Sequence, residues 1–139
     1  MANTMKISLY SPERPIAEVE ADHLLVPGVL GYMGIKPDHT ALISELGVGE
    51  LRIDGAKSAG DFRYFVSGGY VEVLDNSVKV LVDVAEHIDE IDLSRAGESE
   101  MRAQKRLDDK SDIKVDIARA LGALERAKAR KKLAEGARR

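Results

Sequence analysis

The sequence contains no cysteine and no tryptophan. Without thiols there is no disulfide framework, no zinc–thiolate centre and no thiol nucleophile. The three histidines are isolated from one another, so no metal site is expected. Aromatic residues make up 4% of the chain, too few to stack bases, and the net charge is −3; nucleic acid is therefore not an expected partner. Met1-Ala2-Asn3-Thr4-Met5-Lys6 is not followed by a long apolar run, which argues against a secretory signal or membrane span. No nucleophile, metal set or paired acids support an enzyme.

What is present is a hydrophobic share of 44% and a charged share of 32% over 139 residues. That is enough apolar material for a core in one ordinary domain or two small ones. The charge is uneven. Residues 89–139 carry 14 Lys+Arg against 11 Asp+Glu, and residues 1–88 carry 7 against 13, so the halves stand at +3 and −6. Arg126, Lys128, Arg130, Lys131, Lys132, Arg138 and Arg139 face only Glu125 and Glu135 at the end. Such a cationic end complements a helix dipole or meets an acidic protein surface.

The two halves meet at Ala85–Ala96. Before this seam the chain is rich in Gly and Val. Beyond it there is no Pro, Gly is sparse, and charge alternates with Ala and Leu at helical spacing. Lys6–Tyr10 alternates polar and apolar as a strand should, and Pro12 and Pro15 stop it. Val19–Val26 reads as a second strand ending at Pro27-Gly28. Phe62–Val66 and Tyr70–Leu74 flank Ser67-Gly68-Gly69, and Asp75-Asn76-Ser77 turns the chain into Val78–Val84. Short runs divided by Gly, Pro and Asn turns predict an antiparallel, all-β sandwich or barrel, with no βαβ alternation. Gly28, Gly31 and Gly34 match no phosphate-loop pattern and are expected to mark bulges or close backbone approach. His23 falls mid-strand, and His39 falls on a turn.

In the second half, Leu93, Ala96, Met101, Ala103 and Leu107 are spaced for a helix from about Asp92 to Leu107. Asp108–Asp112 reads as a polar turn in which Ser111 or Asp112 caps the next helix. Ile113, Ile117, Leu121 and Leu124 then line one face of a second helix running to about Leu133. The expected architecture is an α-helical antiparallel hairpin (89–139) after a β domain (1–88). Its apolar stripe is thin, so the hairpin is expected to dock weakly and to undock.

Four motifs occur in order: Val26-Pro27-Gly28; Gly31-Tyr32-Met33-Gly34-Ile35-Lys36-Pro37-Asp38-His39; Val66-Ser67-Gly68-Gly69-Tyr70-Val71-Glu72-Val73; and Ile91-Asp92-Leu93-Ser94-Arg95-Ala96. Together they resemble the epsilon subunit of bacterial and chloroplast F-type ATP synthases, over nearly the whole chain. The resemblance implies a non-catalytic central-stalk subunit whose sandwich binds the gamma subunit and rests on the c-ring. Its hairpin would fold on the sandwich or extend along gamma into the alpha/beta catalytic head and block hydrolysis. It implies residence at the cytoplasmic face of the bacterial inner membrane, or a plastid thylakoid, with membrane association only through the complex. Gly31, Tyr32, Met33 and His39 are the implied c-ring and gamma contacts. Tyr32 stands where many members carry an acid, so its contact would be by packing and hydrogen bonding. Asp38 stands where the family usually has glycine, at a turn that calls for positive φ.

Ile91-Asp92-Leu93-Ser94-Arg95-Ala96 is also similar to the motif with which some epsilon subunits bind ATP. Carried over, Asp92 would accept from the adenine amino group between Ile91 and Ala96. Glu86 lies upstream at the matching distance. Arg95 and Arg102 on the first helix, with Arg126 and Arg130 on the second, would take the triphosphate. No cofactor is required, and ATP would be a regulatory ligand. Asp92 would otherwise serve only as a helix cap. The competing reading is a free-standing nucleotide-sensing β-sandwich module.

Overall fold

The computed structural model describes residues 3–109 and 116–137. The chain divides into two compact units, Met1–His87 and Ile88–Arg139. The first contains seven strands: β1 (Met5–Tyr10), β2 (Pro15–Ala21), β3 (His23–Gly28), β4 (Gly31–Ile35), β5 (Leu42–Asp54), β6 (Phe62–Leu74) and β7 (Ser77–His87). They hydrogen-bond in the order β2-β1-β7-β6-β5-β3-β4. Ile7 and Leu9 of β1 share one core with Leu24 and Val26 of β3, although three strands separate them in the ladder. The sheet therefore folds over on itself, and the fold is a β-sandwich followed by two helices, as the sequence predicts.

Several strand limits differ from the sequence expectation. The single strand expected over Val19–Val26 is two strands, broken at Asp22. The runs either side of Ser67-Gly68-Gly69 are one 13-residue strand, because both glycines take positive φ (72° and 129°) inside a continuous pairing with β7. β4 and β5 occupy a stretch in which no strand was expected. β1 pairs with β7 in parallel, so the sheet is not wholly antiparallel. The glycine expectation holds at Gly28: a Cβ there would stand 2.7 Å from Gly31 O, and the β3–β5 register shifts between Leu25 and Gly28.

Asp38 has φ 63°, as the turn requires. Asn76, also at φ 63°, ties three segments together. Its Oδ1 accepts from Asp38 N–H (2.9 Å), its Nδ2 donates to Thr4 O (2.8 Å), and its own carbonyl accepts from Lys6 N–H (3.1 Å). Asn76→Ala should cost roughly 2–3 kcal/mol, from the left-handed backbone and two lost hydrogen bonds. Asn76→Gly should recover only the backbone part. Urea midpoints of the two variants check this; equal midpoints would contradict it.

The second unit opens with a 3₁₀ turn over Ile88–Glu90, followed by α1 (Leu93–Asp108) and α2 (Ile117–Ala137). The helices pack on each other, and α2 also meets the 3₁₀ turn, so they run antiparallel. The α2 N-terminus is capped by Asp116, whose Oδ1 accepts from Arg119 N–H at 3.1 Å; Ser111, Asp112 and Ile113 lie outside the described residues. The expected apolar faces are corrected. Met101, Ile117 and Leu121 are 73%, 64% and 52% exposed, while the buried positions are Ala96, Ala103, Ala120, Leu124, Ala127 and Ala134. Small side chains let the two helices approach closely, which turns the longer aliphatic residues outward.

Candidate functional site

The chain enters α1 through Ile91 and Asp92. Ile91 is buried, and Asp92, with φ −80° and ψ 106°, is the N-cap. Its Oδ1 accepts from Arg95 N–H at 3.1 Å, and its carbonyl accepts from Ala96 N–H at 2.9 Å. Ser94 and Arg95 are exposed and Ala96 is buried in the first turn. The motif thus forms a capped helix start with the Asp92 carboxylate at the surface.

At about 100° per residue, Arg95 and Arg102 lie on one face of α1, to one side of the buried stripe through Ala96 and Ala103. Arg126 and Arg130 lie to one side of the stripe through Ala120, Leu124 and Ala127 on α2. With the helices antiparallel, both pairs fall on the same flank of the hairpin. Arg95 and Arg102 are exposed, and Arg126 and Arg130 are half-buried. The Arg102 guanidinium donates to Ser99 Oγ at 3.0 Å. Arg126 Nη1 lies beside Gly122, 3.2 Å from where a Cβ would stand. The opposite flank carries an open groove of about 700 Å³, lined by Leu93, Gly97, Met101 and Lys128 among others and crossed by the Lys131–Glu100 ion pair at 3.4 Å. None of the four arginines lines that groove. Glu86, the remaining residue of the expected nucleotide set, is half-buried on β7 opposite Phe65 and belongs to the first unit.

On the sandwich, Gly31 and Tyr32 open β4, and Met33 is half-buried between them and the core. The Tyr32 hydroxyl accepts from Glu50 N–H at 2.9 Å, and a Cβ at Gly49 would collide with it. Glu50 in turn accepts from Arg63 Nε at 2.8 Å, a bond that holds the Arg63 pKa above its usual value. His39 is exposed beyond the far end of β4, with Nδ1 2.7 Å from Thr40 O. The strand between it and Gly31 spans about 13 Å, so the four expected contact residues form two surfaces rather than one.

Two surfaces went unread in the sequence. The tip joining β3 to β4 exposes Val29 (52%) and Leu30 (100%), which polar turn signals would never flag. Tyr10, Leu81, Tyr70 and Glu45 stand in register across β1, β7, β6 and β5. With exposed Ile43 and Leu74 they make a partly apolar sheet face, interrupted by Glu45 and by Glu72 paired in register with Lys79; exposed apolar patches with a polar rim are the kind of surface that marks a protein interface. Only strand pairing brings these residues together, so no local pattern reveals them.

A β-sandwich followed by a two-helix hairpin with a capped acidic start defines the class of protein. The family described as ATP synthase, Delta/Epsilon chain, beta-sandwich domain matches residues 4–88, and the companion long alpha-helix domain matches residues 89–135. The ATP synthase epsilon chain of Desulforamulus reducens is 40% identical over 97% of this chain and 100% of its own length. That of Moorella thermoacetica is 37% identical over 94% of this chain and 96% of its own. A chain in the cryo-EM structure of the Euglena gracilis mitochondrial ATP synthase superimposes with a TM-score of 0.81 at 20% identity, covering 100% of this chain and 84% of that one. The chain belongs to the epsilon-chain family of the F-type ATP synthase. It is a structural and regulatory part of that complex rather than its catalytic subunit. Among the described residues no helix is long and apolar enough to cross a membrane.

Proposed function

We propose that this chain couples the gamma subunit to the c-ring at the cytoplasmic face of a bacterial membrane, that its hairpin restrains ATP hydrolysis by extending toward the alpha/beta head, and that ATP holds the hairpin closed. The observation that carries this reading is the alanine seam. A buried methyl contributes only about 0.8 kcal/mol, so a helix pair buried through Ala96, Ala103, Ala120, Ala127 and Ala134, with Leu124 the one larger buried side chain on either helix among the described residues, is held by small increments and opens readily. A triphosphate spanning Arg95 and Arg102 on one helix and Arg126 and Arg130 on the other would favour the closed form, because it binds that form alone. The face of Tyr10, Ile43, Tyr70 and Leu81 suits gamma, and the tip of Val29, Leu30 and Tyr32 suits the c-ring.

Deleting residues 89–139 is expected to leave a folded sandwich that still binds gamma and to raise hydrolysis by the reconstituted synthase. Circular dichroism, co-purification with gamma and ATPase assay read the three outcomes. Unchanged hydrolysis would contradict the inhibitory role, and an unfolded product would contradict the independence of the sandwich.

A further inference from the structure

We propose that the arginine flank of the hairpin is a binding surface for linear inorganic polyphosphate, a ligand longer than a nucleoside triphosphate. The surface shares four arginines with the nucleotide reading above, rests on it to that extent, and extends it to Arg106 and Arg119. In α1 the arginines stand at 95, 102 and 106, and in α2 at 119, 126 and 130, with the same spacing of seven and then four residues. That spacing holds each set on one helix face, and the antiparallel packing puts both faces on the same flank. With Glu100 and Lys131 paired across the hairpin, Arg95 and Arg119 stand about 25 Å apart along it, and Arg102, Arg106, Arg126 and Arg130 fall between them within about 8 Å of rise.

The charge on this flank is unbalanced. Among the described residues, Arg95, Arg102, Arg106, Arg119 and Arg126 form no ion pair. Asp92 and Asp116, three residues before Arg95 and Arg119, are taken up in capping the two helices through the Arg95 and Arg119 N–H groups, Asp109 has a partner of its own, and Glu98 lines the groove. Lysines go to the other flank, where Lys131 is paired with Glu100. A row of guanidiniums is suited to bidentate recognition of phosphate oxygens, whereas lysine acts as a solvated point charge. A triphosphate held by Arg95, Arg102, Arg126 and Arg130 leaves Arg119 unmet at the far end of the row, which spans about 25 Å. A chain of phosphates would follow the whole of it, bridge both helices along their length and favour the closed hairpin.

Isothermal titration of the full chain with sodium tripolyphosphate and with long-chain polyphosphate tests this, alongside the Arg106→Gln/Arg119→Gln double variant. The wild type should bind the long chain about tenfold more tightly than tripolyphosphate, the size of a few exposed charge-assisted contacts. The double variant should lose that gain, so that it binds both ligands with similar affinity, and keep its helicity. A Lys128→Gln/Lys131→Gln variant should lose nothing. Equal long-chain binding by wild type and the arginine variant would overturn the proposal. So would an equal loss in the lysine variant, or equally tight binding of a single-stranded oligonucleotide of matched charge. Heat with polyphosphate and none with ATP would remove the nucleotide reading and leave this one. ATP binding combined with an inert arginine variant would do the reverse.

Discussion

Replacing Gly69 by alanine should lower the unfolding free energy by roughly 3–5 kcal/mol, the sum of left-handed backbone strain and overpacking. Gly69 has φ 129° in the middle of β6. A Cβ there would run into Leu81 O and Val82 Cα on β7. Both are backbone atoms in a continuous ladder, so neither can rotate away. For a domain with about 5–15 kcal/mol of total stability, this is close to unfolding. Urea denaturation should show a much lower midpoint with little change in slope. Gly97→Ala is the control. It lies inside α1 with nothing within 4 Å of an added Cβ, and should gain about 0.5–1 kcal/mol. A Gly69→Ala midpoint within experimental error of wild type would mean that the sheet does not close as described.

The second large effect concerns ATP. The Arg102→Gln/Arg126→Gln double variant should bind ATP about 100-fold more weakly, taking the lower end of the usual contribution of a charged hydrogen bond for each guanidinium. One arginine comes from each helix, so the loss also removes a bridge across the hairpin. Folding should be spared. Neither residue forms an ion pair among the described residues, and glutamine keeps the helix propensity. Titration calorimetry gives the affinity, and circular dichroism checks the helices. A variant that binds like the wild type would confine Asp92 and the arginines to helix capping and solvation.

The parts of this fold that show in the sequence are those with a local cause. Lys6–Tyr10 and Val78–Val84 alternate clearly, and Asp92 precedes a helical pattern as caps do; the positive φ at Asp38 followed from the family resemblance and not from the local pattern. The parts that do not show depend on distant partners. Ser67-Gly68-Gly69 has the composition of a turn, yet the glycines serve a close approach between β6 and β7 within one strand. The parallel pairing of β1 with β7 leaves no local trace, since the pattern within a strand does not encode its neighbour. On α2, Ile117 and Leu121 dominate the hydropathy signal and end up exposed, while alanines make the buried stripe. Alanine is too weakly hydrophobic for a periodicity reading to prefer it. Of the nucleotide set that the family resemblance implies, the run from Ile91 to Ala96 forms the capped helix start and the two arginine pairs lie on one flank of the hairpin. Arg106 and Arg119 belong to no motif, so only the antiparallel hairpin draws them out.

The hairpin is expected to close in response to ATP. Because the chain has no native cysteine, Glu13→Cys and Lys132→Cys provide two unique labelling positions, one exposed on the sandwich and one exposed near Arg130. Their distance distribution should be measured while ATP is titrated against the isolated protein. A broad distribution that narrows to one short distance as ATP saturates, and fails to do so in the Arg102→Gln/Arg126→Gln variant, is the predicted result. A distribution unmoved by millimolar ATP would contradict the claim and assign control of the hairpin to the rest of the synthase.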